Sequence, residues 1–247
     1  MITIPPPGEP IDYETIFSAD AMFYQAATLA LAAARKIPPK IDRAETRWRR
    51  HLQRMQELTQ QGDDDEEEHW FYRKGVYEAY ESLAIQAENV EFKVTEAYGP
   101  LLRQLALVHI LSATSVEAHI NIRAEAALKG KYWRTFEHLA VEAKWLFFPK
   151  ILGLEGFEVG SEPYQSFSAI IVARNKLVHY KPQAEPYEGF DDPEAFAKRL
   201  DLTIDAAERS LRGVMGMVTR LASQLGERPP WWIASDNSHF FSIRRKP

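Results

Sequence analysis

Cysteine is absent from the 247-residue chain. That excludes disulfides, iron–sulfur clusters, thiolate zinc sites and cysteine nucleophiles, and it fits a reducing cytoplasm. A surplus of positive charge is absent too. The net charge is −5, so a nucleic acid would have to engage a local basic patch on an acidic body. The start, Met1-Ile2-Thr3-Ile4-Pro5-Pro6-Pro7, lacks a basic n-region followed by an apolar run. The most apolar stretch, Ala21 to Ala34, is too short to span a bilayer and contains Tyr24 and Gln25. The expectation is a cytoplasmic protein with no membrane partner. Also missing are strand-like alternation, an internal repeat, a phosphate-loop glycine pattern, a Gly-x-Ser-x-Gly elbow and His-Glu-x-x-His spacing. No metal and no cofactor is expected.

What is present reads as helix. Hydrophobic residues make up 45% and charged residues 26%, an ordinary globular balance, in a chain long enough to bury a core. An alanine-rich helix is expected over about 18–36, capped by Ser18 or Asp20 and stopped by Ile37-Pro38-Pro39. A second, over about 41–61, is basic through Arg43, Arg47, Arg49, Arg50 and Arg54. A third covers about 69–97, and Gly99-Pro100 punctuates the chain. Further helices are expected over 101–128, closed by Gly130, over 134–151, over 164–180, and from Pro193 to about 225. The fold class is all-α. The expected organisation is an N-terminal helical extension over 1–99, a helical core over 100–226, and an aromatic and basic tail over 227–247. The tail's Trp231, Trp232, Phe240 and Phe241 are expected to fold back on the body or on a partner.

The run Asp63-Asp64-Asp65-Glu66-Glu67-Glu68 reads as a solvated loop or helix start, since like charges in sequence repel. It lacks the alternating spacing and glycine of a calcium loop. The arginines around Trp48 suit an RNA-tracking patch, or a solvated face paired with that acidic run; Arg244-Arg245-Lys246 has the same two readings. His51, His69, His109, His119, His138 and His239 show no ligand spacing, and His109 and His119, on one long helix, read as packed or surface histidines.

Chemistry concentrates in Arg174-Asn175-Lys176-Leu177-Val178-His179-Tyr180-Lys181, at the polar end of Ala169-Ile170-Ile171-Val172. At about 100° per residue, Asn175 and His179 share a helix face, whereas Arg174 sits roughly 140° from His179. The two therefore meet only if the helix starts or bends within the motif, or if a second copy supplies the missing group across a two-fold axis. The residue types suit RNA cleavage by internal transfer, in which the ribose 2′-OH is the nucleophile and no metal is needed. Histidine supplies a general acid/base and arginine a fork matched to phosphate oxygens. Asn175 would orient the imidazole or donate to phosphate; Lys176, Tyr180 and Lys181 would add phosphate contacts. The same residues also describe an ordinary charged helix end, with Arg174 paired to a carboxylate.

Arg174-Asn175-x-x-x-His179 resembles the Arg-polar-x-x-x-His motif of HEPN domains, the helical "higher eukaryotes and prokaryotes nucleotide-binding" superfamily. Ser115-Val116-Glu117-Ala118-His119-Ile120-Asn121 looks like that family's earlier core helix. Glu142-Ala143-Lys144-Trp145, followed by Pro149-Lys150-Ile151-Leu152, looks like its next segment. The resemblance covers roughly residues 100–226. It implies a HEPN-like bundle with an added N-terminal region, and a metal-independent endoribonuclease acting as a toxin or phage-defence effector. It further implies a homodimer whose Arg174 and His179 line one cleft, with Asn175 as the polar residue. Glu117 and Asn121 would face that cleft and support it, although Glu117 could instead anchor a basic side chain such as Arg174. RNA would be the substrate, and an antitoxin such as a small nucleotidyltransferase a possible partner. The alternative is a non-catalytic helical module that binds nucleotide, RNA or protein.

Overall fold

The structure is a computed structural model that describes residues 13–63, 70–181, 193–234 and 240–245. In chain order the elements are β1 (Tyr13–Phe17), α1 (Ala19–Ala34), α2 (Pro38–Asp63), α3 (Trp70–Ala127), α4 (Lys131–Glu137), α5 (Val141–Ile151), α6 (Tyr164–Val178), α7 (Pro193–Arg199), α8 (Ile204–Gln224), α9 (Trp231–Ala234) and β2 (Phe241–Arg245). The fold is all-α with one small addition. β1 and β2 pair antiparallel, Tyr13 opposite Arg245 and Phe17 opposite Phe241. No alternation had marked these segments as strands; each is only five residues long.

Three helices differ from the sequence reading by more than their end residues. α3 runs through Gly99-Pro100 without a break. Proline removes one helical hydrogen bond and crowds the preceding turn, at a cost of about 3 kcal/mol. Long buried runs on both sides outweigh that: Val90, Val94 and Tyr98 before it, Leu105 and Val108 after it. The segment expected as one helix over 134–151 is two, α4 and α5, separated at His138–Ala140. The helix expected from Pro193 to 225 is also two. α7 ends in a Schellman motif, with Leu202 N–H donating to the Ala197 carbonyl and Asp201 N–H to that of Lys198. The left-handed position, usually glycine, is taken by Asp201 (φ 59°), which is why no glycine announced the stop. At the end of α8 the same motif uses Gly226 (φ 69°).

Two compact units are built from interleaved segments. One comprises Met1–Ala30, Leu107–Lys181 and Asp205–Pro247; the other comprises Leu31–Ala106 and Pro182–Ile204. A linear division at residues 99/100 does not coincide with them. In the second unit Ile41, Val94 and Tyr98 form a small core, against which Ala44, Trp48 and Leu101 pack. The acidic run over 64–68, His69, the loop over 183–192, His239 and Lys246 lie outside the described residues.

The first unit carries the larger core. Val116 and Ile120 of α3, Trp145 and Phe148 of α5, Phe167 and Ile170 of α6, Val214, Met217 and Leu221 of α8 and Trp232 of α9 are all at most 2% exposed. The tail thus folds back on the body through Trp232. α6 is seated closely on α8: a Cβ at Gly213 would lie 3.1 Å from the Ser166 carbonyl carbon, and one at Gly216 2.7 Å from Pro163 Cβ. Only glycine permits that approach, and it fixes the helix that carries the Arg174 motif.

Two buried polar pairs run through this core. His109 Nδ1 lies 2.9 Å from Ser210 Oγ. His119 Nδ1 lies 2.8 Å from Asp20 Oδ2. The Asp20 side chain also accepts from Ser18 Oγ (3.0 Å) and from the Ala21 N–H (2.9 Å) at the start of α1, and its carbonyl accepts from Ser115 Oγ (2.8 Å). The His119 ring stacks on Trp145 and meets Trp232 edge-on. A stretch within Gly75–Ala127 is long and apolar enough to cross a membrane by composition alone, and half of its most apolar window is buried inside the protein. The histidines on that helix find their partners within the protein, as in a core helix.

Burial pushes the Asp20 carboxyl up, but the hydrogen bond and charge of His119, with the Ala21 and Ser18 donors, outweigh it and hold the group below its ordinary 3.8. A depressed carboxylate contributes stability that is present above its unfolded-state value and lost as pH falls through the lower folded-state value. Asp20→Asn should therefore unfold at lower urea than the wild type at neutral pH, by about 3 kcal/mol. That gap should hold down to about pH 4 and close below it. A gap that persists unchanged at pH 3 would mean that the Asp20 charge is not the stabilising element.

Candidate functional site

α6 delivers the motif to the surface of the first unit. Its apolar positions Phe167, Ile170, Ile171 and Ala173 are buried, which turns Arg174 and Asn175 to the rim of the core at intermediate exposure. The helix ends at Val178, and His179 is its C-cap (φ −107°), its backbone N–H donating to the Asn175 carbonyl. His179, Tyr180 and Lys181 are exposed.

Arg174 and Asn175 line an open cavity of about 280 Å³ with Thr114 and Glu117 of α3 and Glu142 of α5. Inside it Arg174 Nη1 donates to Asn175 Oδ1 at 2.9 Å. Asn175 therefore orients the arginine and not the imidazole. No carboxylate lies within ion-pair distance of the Arg174 guanidinium among the described residues, so most of its five donors remain available to an anion. His179, Lys176, Tyr180 and Lys181 are not among the residues lining this cavity.

Glu117 does anchor a cation, but the cation is Lys144. The two lie 3.5 Å apart, with the lysine side chain 3% exposed and that of Glu117 45% exposed. A buried ammonium needs such a partner, because desolvating an unpaired charge costs several kcal/mol. Glu117 is also the wall between two cavities. The second, about 590 Å³ and open, is lined by Asn121, Glu125, Trp133, His138 and Lys144. Asn121 thus supports the neighbouring cavity and not the one that holds Arg174, and its Oδ1 is buried without a hydrogen-bond partner.

The structure therefore brings Glu117, Arg174 and Asn175 together, sets Asn121 one cavity away, and leaves His179 exposed at the helix end. Sequence reasoning quoted Glu142 and Lys144 only as parts of a segment. The available signal was that they are the charges in the first turn of a mostly apolar helix. Burial first, and the charge of Glu142 second, push the Tyr164 phenol up, so the Glu142 field reaches the start of α6 as well as the Arg174 cavity. Among the described residues no group of three His, Asp or Glu side chains could hold a metal ion. Chemically, the arrangement offers a preoriented guanidinium for an anion, two carboxylates beside it able to accept a proton or a cation, and an exposed imidazole nearby in sequence.

No family model matches the chain, and none of the curated proteins or solved structures compared with it is similar to it.

Removing the carboxylate from Glu117 should strand the Lys144 ammonium. Glu117→Ala should lose about 2 kcal/mol in urea unfolding, and adding Lys144→Met, which takes the buried charge away, should recover most of it. A Glu117→Ala protein as stable as the wild type would show that the pair does not hold α5 to α3.

Proposed function

We propose that this protein is a metal-independent endoribonuclease of HEPN type. Its site is completed by two copies of the chain, so that Arg174 of one and His179 of the other act on the same phosphodiester. The observation that carries the reading is the Arg174 guanidinium, held by Asn175 at 2.9 Å and without a carboxylate partner among the described residues, lining an open cavity. His179, exposed at the end of the same helix, supports it, because a second copy can reach it. In the reaction the 2′-oxygen attacks phosphorus and the bond to the 5′-oxygen breaks, giving a 2′,3′-cyclic phosphate and a 5′-hydroxyl. A His179 imidazole takes the 2′-OH proton and an imidazolium returns one to the leaving oxygen. Arg174 neutralises the charge developing on the phosphorane. A toxin or phage-defence role in the cytoplasm, restrained by an antitoxin such as a small nucleotidyltransferase, would fit such an enzyme.

A second reading has its own observation. The cavity that holds Arg174 is walled by Glu117 and Glu142 and is not lined by His179. That suits a module that binds a nucleotide or peptide without cleaving it.

Digestion of single-stranded RNA in EDTA separates the two. The wild type should release cyclic-phosphate ends. His179→Ala should be slower by a factor of about 100 to 10,000, and Arg174→Ala by about 100 to 1,000. Native mass spectrometry should show a dimer. Equal cleavage by wild type and His179→Ala, or no cleavage of varied RNAs by a folded dimer, overturns the nuclease reading. Binding that Arg174→Ala abolishes, with no product at any time, establishes the second.

A further inference from the structure

We infer that α2 carries a separate binding surface for the phosphodiester backbone of RNA, formed by Arg47, Arg50 and Arg54. The three stand at i, i+3 and i+7 and therefore form one stripe, rising about 4.5 Å and then 6 Å along the helix. With His51, Gln53 and Glu57 they line an open concavity of about 440 Å³. Ile41 packs into the core of the second unit, with Ala44 and Trp48 against it, from a different face of the helix, so the arginines are exposed.

None of the three has an ion-pair partner among the described residues. The nearby carboxylates make other contacts: Glu45 pairs with Arg49 at 3.6 Å and accepts from Tyr98 Oη, and Glu57, which lines the same concavity, accepts from Gln53 at 3.0 Å and forms no ion pair with the three arginines. From Thr46 to Gln56 the chain holds four arginines and no acidic residue. Like charges three and four residues apart destabilise a helix by a few tenths of a kcal/mol per pair. A stripe with no counterion among the described residues is matched to an external polyanion. All three cations are arginine, whose planar fork pairs with phosphate oxygens in two hydrogen bonds. Phosphate contacts of this kind position a strand without reading its sequence. RNA as the polyanion rests on the nuclease reading above; the phosphate contact itself does not.

The test is fluorescence anisotropy with a labelled single-stranded RNA, using the His179→Ala chain as background so that no strand is cut. Titrations are repeated across a range of salt concentrations, with a DNA of the same sequence and with polyglutamate. Each phosphate neutralised on a single strand contributes about 0.7 to the slope of log K against log salt. Arg47→Gln/Arg50→Gln/Arg54→Gln should therefore lower that slope by about 2, while Arg49→Gln, whose arginine already has a carboxylate, leaves it unchanged. An unchanged slope in the triple variant overturns the inference, and so does polyglutamate binding as tightly as RNA, which would mark a surface for an acidic protein. Tighter binding to DNA than to RNA overturns RNA as the occupant. The nuclease reading fails separately, by the absence of cyclic-phosphate product from the chain with His179 intact.

Discussion

The buried contact between Asp20 and His119 sets the phase of the central helix. Ser115, Val116, His119 and Ile120 of α3 point into the core, and the imidazole is locked by a carboxylate on one side and two tryptophan rings on others. At 3.6 residues per turn, the opposite face of α3 is then dictated. Thr114, Glu117 and Asn121, three and four residues apart, must face the two cavities. A slightly rotated α3 would withdraw Glu117 from Lys144 and from the cavity of Arg174 together. The internal pair thus sets the outer wall of the candidate site without touching it.

The same logic fixes α6 from behind. Gly213 and Gly216 let the α6 backbone lie against α8, and the buried face of α6 leaves Arg174 and Asn175 at its margin. One side of the cavity is held by α3 through His119, the other by α6 through the glycines of α8, and α5 joins them through the Lys144–Glu117 pair. α3 and α6 are thus positioned by contacts inside the core, and α5 by an ion pair at the cavity wall. The cavity side chains themselves make few mutual bonds, chiefly Arg174 to Asn175, which leaves them free to meet a ligand.

These contacts explain what could be read from the chain. Helix identity followed from apolar spacing and composition: α1 was legible from its alanine content and its cap, and α2, α6 and the body of α8 from apolar positions recurring over several turns. The Arg174 motif was legible because its residues are adjacent. His119 carried no signal, because its partner is 99 residues away and a single buried histidine looks like any other. The continuity of α3 through Pro100 was hidden because proline's local cost is visible in sequence, whereas the burial that outweighs it depends on distant residues. The stop at Asp201 was hidden because aspartate enters the left-handed region less often than glycine. Local signals report local energies: at His119 and Pro100 a long-range term decided the outcome, whereas at Asp201 a local motif used an uncommon residue.

That distinction bears on the motif as well. Five positions apart in sequence, Arg174 and His179 diverge in space, because a helix turns its residues apart and α6 ends just before the histidine. Within one chain, the acid/base groups that line the cavity with Arg174 are Glu117 and Glu142 and not His179. A chain that acts alone would therefore have to use a carboxylate that lines the cavity with its guanidinium; Glu117 is already paired with Lys144, and the charge of Glu142 would oppose the binding of a phosphate. A chain that acts in pairs can set an imidazole against the guanidinium from outside, where it is exposed and unencumbered. Under the proposed nuclease reading, the acid/base that Arg174 lacks within its own cavity would come from a second copy, and the cavity would carry its own restraint, since neutralising Glu142 would strengthen the hold of Arg174 on an anion.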